Sequence, residues 1–149
     1  MSIEDQVVAI AAREHGKAWS SGSDVSAQTK KSQQVCIAWQ TAVMRELPNR
    51  FSSEVPLNNK GVTQKIDLVD DNDRVAYELK SSPNNVHMEI YRDVFKALVF
   101  NERNPQKCIT TLVFLAPSEG IKKLGTTFPR DVQNISARLG LTLKLRGFP

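Results

Sequence analysis

The chain has 149 residues, 40% hydrophobic and 24% charged, which suits one domain spanning residues 1–149 and excludes a wholly disordered or fibrous polymer. Its net charge of +4 and pI near 9.2 favour an anionic partner such as nucleic acid without requiring one. Cys36 and Cys108 lack zinc-type spacing and read as reduced structural thiols, and the opening MSIEDQVVAIAAREHG fits neither a secretory signal nor a membrane span. A cytoplasmic protein without membrane contact is therefore expected.

In chain order, Ile3, Val7, Ile10 and Ala11 predict a short amphipathic helix over 3–14, placed ahead of the core. The polar run 20–24 offers capping residues for a second helix from Val25 to Glu46, stopped by Pro48. An irregular first strand is expected between Arg50 and Leu57, leading into a loop at 58–61. Residues 64–70 and 74–81 alternate in polarity around the turn formers Asp71, Asn72 and Asp73, a hairpin signal. The helix from Val86 to Arg103 carries an apparent apolar stripe of Ile90, Tyr91, Val94, Phe95, Leu98 and Val99, with Arg92, Lys96 and Arg103 on the opposite side. CITTLVFLA, residues 108–116, reads as a central strand covered on both faces. Pro129 opens a last helix facing inward through Val132, Ile135 and Leu139, Gly140 stops it, and Leu141, Leu143 and Leu145 line a final strand. The fold class implied is α/β, with a mixed central sheet, an antiparallel meander followed by parallel strands, flanked by helices.

The hairpin carries the chemistry. Strand alternation puts Ile66, Leu68, Val75, Tyr77 and Leu79 on one side for the core, and a tight turn at either Asp71-Asn72 or Asn72-Asp73 puts Asp67, Glu78 and Lys80 together on the other. Asp67 then lies opposite or diagonal to Glu78, within about 5 to 8 Å at the backbone. Two carboxylates that close need a positive charge between them, which a divalent metal would supply and Lys80 would supply in part. On spacing alone a solvated ion pair would account for the trio; the surrounding element order favours a site.

Ile66-Asp67-Leu68-Val69 followed by Tyr77-Glu78-Leu79-Lys80, in a frame of helix, three strands, helix and strand covering about residues 25–146, resembles the PD-(D/E)XK nuclease superfamily. Ile66 stands where the family motif has its proline. The resemblance implies a restriction endonuclease-like fold and phosphodiester hydrolysis with Mg2+, for which Mn2+ can substitute. It further implies that Asp67, Glu78 and the Leu79 carbonyl ligate the metal, and that Lys80 positions or deprotonates the attacking water. Many members add an acid from the preceding helix; Glu46 is preferred here and Glu14 is its rival. Arg92 and Lys96 are the candidate DNA-backbone contacts.

Trp39, Tyr91 and Phe95 are expected in the core, and Asp70, Asp71 and Asp73 as turn residues. The basic residues between Lys122 and Arg146 serve equally as a phosphate-binding wall or an ordinary surface. The function expected is an Mg-dependent endodeoxyribonuclease acting on DNA, with a homodimer or partner subunit supplying any sequence specificity. The alternatives are a silent nucleic-acid-binding or assembly subunit of the same fold, and a regulator that binds no nucleic acid.

Overall fold

A computed structural model of the chain describes residues 1–19, 25–57 and 63–149, with side chains given for all of these except 19 and 25–30. The expected caps at 20–24 and the loop at 58–61 lie outside the described residues. The elements are α1 (Ile3–Trp19), α2 (Val25–Glu46), β1 (Phe51–Pro56), β2 (Lys65–Asp70), β3 (Val75–Leu79), α3 (Val86–Arg103), β4 (Thr111–Pro117), α4 (Ser118–Lys123), α5 (Thr127–Arg138) and β5 (Thr142–Phe148).

The chain is α/β, with a five-stranded mixed sheet in the order β1-β2-β3-β4-β5. β1, β2 and β3 pair antiparallel, while β3, β4 and β5 run parallel, the α3 and α4-α5 crossovers supplying the returns. β4 is buried from Leu112 to Pro117, as its unbroken apolar run requires. Six-residue α4 is too short to leave a periodic signature and was not expected.

Two apolar layers sandwich the sheet. On one side Val7, Ile10 and Ala11 of α1 and Trp39, Ala42 and Val43 of α2 pack on Phe51, Leu68, Tyr77, Val113, Leu115 and Phe148. On the other, Val86, Ile90, Ala97 and Phe100 of α3 and Val132 of α5 cover Val69, Ala76, Leu112, Phe114 and Leu143. Ile66 joins this second core rather than the Leu68 side: it lies beyond the last β2–β3 pair, Leu68↔Tyr77, where β2 pairs only with β1.

Local chemistry sets the boundaries. Ser2 Oγ accepts the Asp5 N–H at 3.0 Å while Asp5 Oδ2 accepts the Ser2 N–H at 3.3 Å, a reciprocal cap on α1. The hairpin closes at Asp70↔Val75, so its loop is 71–74 and its register is that of a turn centred on Asn72-Asp73. Asp70 ties that loop: Oδ1 accepts the N–H groups of Asn72 and Asp73 at 2.9 and 3.2 Å, and Oδ2 accepts Arg50 Nε at 2.8 Å. Gly140, at φ 81, stops α5 in a backbone conformation that disfavours a side chain.

Two helix faces differ from expectation. α3 buries Val86, Ile90, Asp93, Lys96, Ala97 and Phe100, so Tyr91 and Phe95 are exposed and Lys96 points inward. α5 buries Val132 and Ser136 and exposes Ile135 and Leu139. Both sequences carry apolar residues in two overlapping helical phases, and docking on the sheet selects the one with the smaller side chains, Ala97 and Ser136, at the close contacts.

Candidate functional site

The hairpin register places Asp67 across from Glu78, one step beyond Leu68↔Tyr77. Strand alternation turns both away from the Tyr77 core and towards α3. Glu78 is 3% exposed, and above it α3 lays Asp93 and Lys96, 4% and 6% exposed, one helical turn apart. Lys96 Nζ stands 2.6 Å from Glu78 Oε1 and 3.2 Å from Asp93 Oδ1, and donates at 2.8 Å to the Lys65 carbonyl. Both carboxylate oxygens are buried and meet the Lys96 ammonium as ion-pair partners.

Asp67 is fixed from two sides. Its Oδ2 accepts the Leu79 N–H at 3.0 Å, while Gln40 of α2 donates from Nε2 to the Asp67 carbonyl at 3.1 Å and to Glu54 Oε1 at 2.8 Å. Glu54 sits opposite Asp67 in β1 at φ 51, between the pairs Ser53↔Leu68 and Val55↔Ile66. A left-handed glutamate inside a strand stores about 1–2 kcal/mol of strain, and such strain gathers at functional sites. Beside it opens a polar cavity of about 380 Å3, whose lining includes Asp67, Glu54, Gln64, Arg92 and Lys96.

The charges do not cancel. Asp67, Glu78 and Asp93 face the Lys96 ammonium, and Arg92 Nε approaches Asp93 Oδ1 at 3.6 Å, so the three carboxylates outnumber the two cations when all are ionised. Burial, with Asp67 and Asp93 adding like-charge repulsion, pushes the Glu78 carboxyl well up, against the pull of Lys96. Burial likewise raises Asp93 to about 6 and raises Asp67, Lys96 offsetting part of each. Burial works against charge on Lys96, but Glu78 and Asp93 outweigh it and hold the ammonium above its ordinary value. Burial, with Asp67, Glu54 and Glu78 nearby, keeps the Cys36 thiol protonated, in keeping with a structural role.

The remaining candidates are placed as follows. Lys80 leaves the sheet beside the cluster, with Nζ 3.8 Å from Glu89 Oε1, and Glu89 also pairs with Arg92. Arg92 lines the cavity with its side chain half exposed. Lys96 does not stand on the outer face with it: the buried carboxylates hold it inside, so it is no surface phosphate contact. Glu46 at the end of α2 pairs with Arg13 at 2.6 Å and Arg45 at 2.9 Å, and Glu14 with Arg13 and Lys17 at 3.0 and 3.1 Å. These cations draw both away from the hairpin; the α2 side chain that reaches Asp67 is Gln40, one turn and a half earlier.

Among the described residues no group of three or more His, Cys, Asp and Glu side chains is arranged to hold a metal ion. The donor set nonetheless fits a hard cation content with few protein ligands. Mg2+ takes one or two carboxylates and fills its other positions with water and substrate phosphate. Asp67 and Glu78 offer that pair, with an excess of negative charge around them. Asp93 and Lys96 escaped sequence reasoning in this role; their signal was two charges at the spacing of a buried helix face, Ile90-Asp93-Ala97. Among the described residues no helix is long and apolar enough to cross a membrane. Compared with protein-family models, curated proteins and solved structures, the chain matches none of them.

Proposed function

We propose that the chain is a metal-dependent deoxyribonuclease that hydrolyses phosphodiester bonds at the Asp67–Glu78 face, within a restriction endonuclease-like fold. One observation carries the reading: Asp67 and Glu78 oppose each other across a hairpin beside a polar cavity that Asp67, Glu54 and Arg92 line. The strand pairing, three antiparallel strands and a fourth parallel to the third across a helix, supports the resemblance on which the reading draws.

Asp67, Glu78 and the Leu79 carbonyl would hold Mg2+ or Mn2+, which supplies charge neutralisation at the phosphate and a lowered pKa for bound water. The chain's own residues do the rest. The Leu79 N–H fixes the Asp67 carboxylate, and Gln40 fixes the strand that carries it. Lys96 holds Glu78 Oε1 at 2.6 Å and opposes the rise that burial imposes on its carboxyl. Lys80, two residues after Glu78 on the same strand face, would orient the attacking water or take its proton at Nζ, and Arg92, which lines the cavity, would meet substrate phosphate.

The second reading, a silent nucleic-acid-binding or assembly subunit, draws on the same contact: the Lys96 ammonium stands beside the oxygen a cation would use. Incubating purified protein with supercoiled, linear and branched DNA, with Mg2+ or EDTA, separates the two. The nuclease reading expects Mg2+-dependent cutting that falls by about 100-fold or more in a folded Glu78→Gln variant. No cutting of any of these substrates would discard it.

A further inference from the structure

On α3, Met88, Tyr91 and Phe95 are 60%, 52% and 68% exposed, at steps of three and four that put them on one helical face. With Gln64, Arg92, Lys96 and Arg103 they line a groove of about 740 Å3. Among the described residues its lining holds the cations Arg92 and Arg103 and no carboxylate, Lys96 being turned inward to Glu78 and Asp93. Gln64, Arg92 and Lys96 also line the polar cavity at Asp67, so the groove opens directly into the candidate site. Tyr91 is steadied by an edge-to-face contact with Phe128 at 5.1 Å between ring centroids.

An occupant must bring flat apolar groups, negative charge and a path that continues to Asp67. A duplex keeps its base faces stacked inside and has none to offer an exposed aromatic ring. A single strand has every base face free, and its phosphates suit Arg92 and Arg103. We infer that Tyr91 and Phe95 form a stacking platform for unpaired nucleobases, so that single-stranded or frayed DNA is the substrate class led into the site. This assignment rests on the nuclease reading for the purpose of the platform.

The test is fluorescence anisotropy of the whole chain with labelled oligo(dT) and a duplex of matched length, in EDTA so that nothing is cut. Wild type is expected to bind the single strand more tightly than the duplex. Tyr91→Ala/Phe95→Ala should lose about tenfold or more on the single strand and little on the duplex, because each stacked base contributes on the order of tenfold. Tyr91→Leu/Phe95→Leu keeps the apolar area without the rings and should lose similarly, which covers the case of an alanine variant that fails to fold. Duplex preference in wild type, or unchanged single-strand affinity in the folded variants, would overturn the platform. A dimer in sedimentation that the leucine variant turns into monomer, with DNA affinity unchanged, would assign the groove to a second copy and overturn it too. Ring-dependent single-strand binding by a wild type that cuts no DNA in Mg2+ would end the nuclease reading and leave the platform standing. Cutting with unchanged single-strand affinity would do the reverse.

Discussion

The two faces of the β2–β3 hairpin obey opposite rules. On the α1-α2 side, Leu68 and Tyr77 sit in an apolar cluster with Trp39 and Val43. On the α3 side the same strands carry Asp67 and Glu78 beneath Asp93 and Lys96, where buried charges are held in ion pairs. The first face contributes stability in the ordinary way, through area removed from water. The second spends some of it, because ion pairs this deep at best offset their desolvation. On the proposed reading, a cation from outside the chain completes this face.

That contrast is most sharply broken by single substitutions on either face. Tyr77→Ala should cost about 3–5 kcal/mol in urea unfolding, as truncation of a buried aromatic does. Lys96→Met should cost about as much, because it leaves the buried carboxylates of Glu78 and Asp93 without the ammonium that meets both. Glu78→Gln should leave the metal-free protein no less stable than wild type, since it removes repulsion from Asp67 and Asp93. Loss of stability in Glu78→Gln equal to that of Tyr77→Ala would make the acidic face a structural one.

The pH dependence follows from the raised carboxyls. Asp93 moves from 3.8 to about 6 on folding, so between those values the native state binds more protons than the unfolded one. Its contribution to stability is therefore greatest at low pH and declines as pH rises through that window. Glu78 acts in the same direction. Asp5 and Glu46, both lowered to about 2 by hydrogen bonds to Ser2 and to Arg13 respectively, contribute stability that is lost only as pH falls below about 4. His15, lowered by burial, works against Asp93 near pH 6. The measurement is thus a difference: urea midpoints of wild type fall relative to those of Asp93→Asn between pH 4.5 and 6.5, and a constant difference would show that Asp93 is not held protonated.

The smallest effect belongs to Glu46. Its pairs with Arg13 and Arg45 lie at the surface, and such pairs contribute about 0–1 kcal/mol. Glu46→Gln should change stability by less than about 1 kcal/mol and leave cleavage intact; a large loss of cleavage would return Glu46 to the site.

What was legible in the sequence was local. The spans of α2 and α3 followed from Pro48 and from helical periodicity, and the hairpin from alternation around Asp71-Asn72-Asp73. The pairing of Asp67 with Glu78 needed only parity and a turn position. What escaped was rotational. Tyr91 and Phe95 recur at helical steps as convincingly as Ile90 and Ala97, and only docking on Phe114 and Ala76 decides which phase faces inward. That quarter turn separates Lys96 as a surface cation from Lys96 as the counter-charge of Glu78. The partner of Glu46 was hidden for a similar reason: Arg13, distant in sequence, pairs with it.

The claim that the acidic face is built for a cation has one direct test, a metal titration of the purified protein followed by melting temperature, with Mg2+ and Mn2+ each set against EDTA. The account predicts a saturable rise in wild type that is lost in Asp67→Asn and in Glu78→Gln and retained in Glu46→Gln, since a ligand bound only by the native state stabilises it by mass action. An unchanged melting temperature in wild type, or a rise that survives both hairpin substitutions, would contradict it.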